Sequence, residues 1–86
     1  MEKINVNGHD LELVSVSISP SGYGHKTLVF LISKNGVQQN FKSTTDNMSD
    51  FDEANELEGG ERDLALFNIV KYKIADEIDE WVMEQE

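Results

Sequence analysis

The chain predicts an α+β fold: a four-stranded antiparallel β-meander, a short acidic helix, and a long C-terminal helix packed on one sheet face. Three observations carry that expectation. Asn-Gly occurs twice, at Asn7-Gly8 and Asn35-Gly36, each time between segments of strand character. Residues before Thr45 tend to alternate with a period near two, whereas residues 61–83 repeat their apolar positions with the helical period. The stretch between them is acidic and broken by Gly59-Gly60.

Asn-Gly suits a type I′ turn, whose two central residues both need positive φ. The first hairpin joins residues 3–6 to 11–19, and the second joins 26–33 to 37–43. Pro20-Ser21-Gly22-Tyr23-Gly24 is dense in chain-turning residues and reads as the loop between the hairpins. In the second strand Val14, Val16 and Ile18 are expected on one face, with Ser15, Ser17 and Ser19 on the other. Leu11 and Leu13 then fall on the serine face, which calls for a bulge nearby or for cover on both sides. The third strand, Leu28-Val29-Phe30-Leu31-Ile32, is apolar at every position and predicts a central strand buried on both faces. In the fourth, Val37, Gln39 and Phe41 alternate with Gln38, Asn40 and Lys42, as on an edge guarded by a lysine.

After Thr45, Ser49 is placed to cap a short helix from Asp50 to about Glu58, with Gly59-Gly60 as its stop. A longer helix is expected from about Glu61 to about Met83. At 100° per residue, Leu64, Phe67, Val70, Ile74, Ala75, Ile78, Trp81 and Val82 fall within an arc of about 140°. Lys71 interrupts that stripe, and Leu66 and Ile69 lie opposite it. One domain follows: a meander over 1–45, an acidic connector over 46–60 and a C-terminal helix over 61–86. Two apolar surfaces are left over. One is the N-terminal half of the long helix; the other is the second sheet face, carrying Val29 and Leu31 or Leu28, Phe30 and Ile32. Residues 46–58 fold back over one of them, or a partner or second copy covers it.

Composition narrows the chemistry. The 86 residues hold no cysteine, which removes disulfides, thiolate catalysis and thiolate-bound metals. No apolar run approaches membrane-spanning length, and Met1-Glu2-Lys3-Ile4-Asn5 has no apolar signal region, so a cytoplasmic location is expected, in a cell or an infected host cell. Residues 1–45 carry three acids and four lysines, a net of +1; residues 46–86 carry fourteen acids and three bases, a net of −11. Phosphate would be repelled by that second half, so direct nucleic-acid binding is disfavoured and a basic protein surface is the expected partner.

Catalytic, cofactor and metal motifs are not recognised. Counting from Asp50, acids fall at positions 1, 3, 7, 9 and 12 of a twelve-residue calcium loop, but Ala54 and Asn55 occupy positions that need an oxygen ligand and a glycine. His9 and His25 sit in or beside turns and read as surface histidines. Gly22 and Gly24 flank Tyr23 without the third glycine or the helix start of a phosphate-binding loop.

The oddity is at the C-terminus. Asp76, Glu77, Asp79, Glu80, Glu84 and Glu86 crowd the end of the long helix, where the dipole prefers cations. Like charges at i,i+4 add repulsion, relieved on that face only by Lys73 toward Glu77. Asp76, Glu77, Asp79, Glu80 and Glu84, with Asp50, Asp52, Glu53 and Glu56 of the connector, are therefore the candidate partner-binding residues. In size and charge the chain resembles the small acidic inhibitors that bacteriophages and plasmids use against restriction or CRISPR systems. That likeness implies a non-catalytic binding protein whose carboxylates imitate a phosphate array and occupy a nucleic-acid-binding site on another protein. The alternative is a homodimeric interaction module that works through its apolar surfaces, with the acids serving solubility.

Overall fold

Both Asn-Gly pairs form the turns their backbone freedom permits. Asn7 and Asn35 have φ of 52°, and Gly8 and Gly36 have φ of 88° and 84°. The computed structural model describes residues 1–85. It runs β1 (Glu2–Val6), β2 (His9–Pro20), β3 (Lys26–Lys34), β4 (Val37–Thr45), α1 (Met48–Asn55) and α2 (Gly59–Glu84). The strands form one antiparallel sheet in the order β1-β2-β3-β4, an α+β fold with the long helix packed against the sheet.

A β-bulge settles the conflict in the second strand. Leu13 pairs with Ile32 and Ser15 with Leu31, so the register shifts at Val14. One extra residue inverts the alternation. Leu11 and Leu13 before the bulge and Val16 and Ile18 after it consequently share the face that packs on α2, while Val14 does not join Val16 and Ile18 as expected. Cross-strand pairing places Leu28, Phe30 and Ile32 on that same inner face, fully buried.

The third strand departs from expectation on its other side. Val29 and Leu31 are only half-buried, because no described element packs over the outer face of the sheet. They lie among Ser15, Ser17, Asn40 and Lys42, whose side chains give partial cover.

Helix α2 buries Leu66, Phe67, Val70, Ile74, Ile78, Trp81 and Val82. Phe67 meets Phe30 edge-on at 5.4 Å and Trp81 meets Phe41 edge-on at 5.5 Å, the geometry favoured by the aromatic quadrupole. Leu66 was expected on the far side of the helix, yet it is fully buried, while Leu64 is half-buried. The connector explains the difference. α1 packs on α2, bringing Phe51 and Ala54 into the same core, so the buried arc is wider in the N-terminal half of α2. Residues 46–58 thus cover the helix and not the second sheet face.

Two helix boundaries also differ. The cap of α1 is Asn47, whose Oδ1 accepts the Asp50 N–H at 3.2 Å while its Nδ2 donates to Asp50 Oδ2 at 2.7 Å. Ser49 lies inside the helix, which ends at Asn55. Gly59-Gly60 opens α2 and does not stop α1. Glu58 is extended, and Gly59 turns the chain into the helix with φ of 58°. At Gly60 a Cβ would overlap the end of the Glu2 side chain, which lies across the first turn of α2. No helix among the described residues is long and apolar enough to cross a membrane.

Candidate partner-binding surface

At 100° per residue, Asp79, Met83, Asp76, Glu80, Glu84 and Glu77 follow one another around an arc of about 160° on the side of α2 away from the sheet. Asp79 marks one border of this ridge, beside the β1–β2 hairpin. Glu77, Glu80 and Glu84 form the other, beside β4, where they share a cleft of about 160 Å³ with Gln39, Asn40, Phe41 and Trp81. Asp76, Asp79, Glu80 and Glu84 surround Met83, a large apolar side chain left exposed. Neither Met83 nor the β4 border was singled out from sequence. Met83 falls between the acids only once the helix is wound, and the neighbourhood of β4 depends on how the helix lies on the sheet.

Cations are sparse around the ridge. His9 is half-buried at the start of β2, not exposed at a hairpin tip, and its Nε2 lies 2.7 Å from Asp79 Oδ1. The carboxylate can only accept, so Nε2 carries the proton of this hydrogen bond. Lys73 does not relieve Glu77: its Nζ donates to the Thr44 carbonyl at 2.8 Å. Arg62, near the opposite end of α2, pairs with Asp63 at 3.3 Å. Among the described residues, Asp76, Glu77, Glu80 and Glu84 have no ion-pair partner. Glu86 lies outside the described residues.

The candidate acids of the connector occupy a second patch. Asp50, Asp52 and Glu53 are exposed on α1 and Glu56 just beyond its end, and Asp50 and Glu53 border a groove with Ala54, Leu57, Ala65 and Ile69. From Ile69 to Asp76 the helix rises about 10 Å, so the two patches are separated by about two turns bearing Lys71, Tyr72 and Lys73. Asp50 also serves the α1 cap through Asn47. Residues 50–61 fold as the end of α1, a turn and the start of α2, not as a continuous twelve-residue loop. His25 closes the β2–β3 loop through its backbone, its N–H donating to the Gly22 carbonyl at 2.9 Å.

No protein-family model, curated protein or solved structure matches this chain. The physical content of the ridge stands by itself. Five carboxylates at 76, 77, 79, 80 and 84 occupy eight residue steps, about 12 Å of helix axis. That is one charge per about 3 Å, sparser than the one per about 1.7 Å of duplex DNA and comparable with the about 3.4 Å along a single strand. Such a surface attracts basic side chains and repels phosphate. Its field is strongest at low ionic strength, because the carboxylates are exposed and screened by salt.

Proposed function

We propose that this chain is a small non-catalytic binding protein whose acidic ridge docks on a basic surface of a partner protein, acting in the cytoplasm of a cell or an infected host cell. In its sharpest form it is a DNA mimic that blocks a nucleic-acid-binding site, as the inhibitors it resembles in size and charge do. The observation that carries the reading is the ridge itself: Asp76, Glu77, Glu80 and Glu84 gathered on one side of α2 without ion-pair partners among the described residues. Met83 in their midst adds a desolvatable anchor within a polar rim, the layout of many protein interfaces. Asp50, Asp52, Glu53 and Glu56 form a separate patch that extends the anionic field toward the other end of the molecule.

Capture from a native-host lysate tests this reading, with the wild type compared to a variant carrying Asp76→Asn, Glu77→Gln, Glu80→Gln and Glu84→Gln. The expected result is a partner captured at about 50 mM salt, weakened at about 200 mM, displaced by duplex DNA and lost in the variant. A partner retained by the neutral variant sinks the reading. A salt-insensitive dimer by native mass, with no captured partner, favours the homodimeric alternative through the half-buried Val29 and Leu31 on the open sheet face.

A further inference from the structure

The border between the acidic ridge and β4 combines two features that a partner can use together. β4 is an edge strand, with nothing but β3 paired to it. Lys34 and Val37 flank the two-residue Asn35-Gly36 turn and therefore form a hydrogen-bonded pair. Alternation then turns the backbone N–H and C=O of Gln38, Asn40, Lys42 and Thr44 away from β3. The Lys73 Nζ–Thr44 carbonyl bond independently marks Thr44 as outward-facing. At the Lys73 end the edge is taken; along Gln38, Asn40 and Lys42 no described residue bonds it.

The helix runs beside this edge. Lys73 reaches Thr44 and Trp81 packs on Phe41, so α2 advances about 12 Å while β4 retreats about 10 Å in chain direction. The two are antiparallel and nearly aligned. Glu77, Glu80 and Glu84 consequently form an anionic wall along the free edge, above a floor of Phe41 and Trp81.

We infer that this border receives an extended basic segment of the partner protein, which adds to β4 as a fifth strand antiparallel to it and points alternate Lys or Arg side chains at Glu77, Glu80 and Glu84. The inference rests on the proposed function and specifies how the partner is held. Strand spacing suits it. Alternate side chains on one face repeat about every 6.7 Å, close to the rise of about 6 Å between Glu80 and Glu84 and longer than the rise of about 4.5 Å between Glu77 and Glu80, a difference within the reach of a lysine or arginine side chain. Pleating sets the rest of the pattern: side chains of the added strand on the outer face sit beside Lys42 and Asn40, where a further cation is repelled. The segment recognised is therefore basic at every second residue and uncharged between. Backbone pairing supplies affinity, and the acidic wall supplies the choice of sequence.

A synthetic peptide alternating lysine with threonine tests this by calorimetry or fluorescence at low salt. Residues opposed to Gln38 and Asn40 share their outer face, so the threonine N–H groups bond β4 and the lysine N–H groups point away. N-methylation of the threonines is expected to weaken binding about tenfold or more, and N-methylation of the lysines to leave it nearly unchanged. Asn40→Pro, which removes an outward N–H without touching the β3 ladder, is expected to weaken the unmodified peptide similarly. Equal binding of the two methylated peptides, or no binding of the unmodified one, overturns strand addition. Capture of the partner from lysate, lost on neutralising the ridge, is a separate readout, so docking by charge alone remains distinguishable.

Discussion

His9 Nε2 lies 2.7 Å from Asp79 Oδ1, tying the first residue of β2 to the last third of α2. It is a hydrogen bond between residues that no local pattern connects. With 25% and 38% of the two side chains exposed, water competes for both. A double-mutant cycle with His9→Ala and Asp79→Ala is expected to give a coupling of about 0.3–1 kcal/mol. Zero coupling would return His9 to the status of an ordinary surface residue.

Neutralising the ridge is expected to stabilise the fold. Asp76/Glu80 and Glu80/Glu84 are i,i+4 like-charge pairs, and no basic residue occupies the last turn of α2. Replacing Asp76, Glu77, Glu80 and Glu84 with their amides removes these repulsions and the mismatch with the helix dipole. The dipole acts mainly on the last turn, so the combined gain is about 1–2 kcal/mol at low salt, read as a rise of about 5 °C or more in Tm. High salt should shrink it. An unchanged or lower Tm at low salt would mean the acids are already accommodated locally.

Trp81 couples stability to the borders of the site. It is buried on Phe41 and floors the cleft below Glu77 and Glu84. Trp81→Ala should cost about 3–5 kcal/mol in denaturant unfolding, a large share of the stability of a domain this size. A loss below 1 kcal/mol or so would place Trp81 at the surface, as an interface anchor.

The start of α1 separates two neighbouring polar residues. Asn47→Ala removes the side chain that accepts the Asp50 N–H and is expected to cost about 1 kcal/mol. Ser49→Ala, inside the helix and exposed, should be neutral or gain about 0.5 kcal/mol through helix propensity. The opposite ranking by thermal unfolding would restore Ser49 as the cap.

Sequence alone determined the elements of this protein and the polarity of its charge. Asn-Gly needs little context to make a tight turn, the two periods of hydrophobicity are local, and the run from Asp76 to Glu84 is anionic in any conformation. The tertiary structure decided everything that depends on one element meeting another. The bulge at Val14 could be inferred as a conflict between Leu13 and Val16 but located only by pairing with β3. Leu66 is buried because α1 folds onto α2, which no helical wheel contains. Gly60 lies in the first turn of α2 against the Glu2 side chain, a contact between distant parts of the chain that no local pattern contains. The acids of α1 and α2, neighbours in a composition count, lie on separate patches because about two turns of helix intervene. The partners of His9 and Lys73 were equally out of reach of local reasoning, since contacts between distant residues are chosen by packing and not by the pattern of either segment.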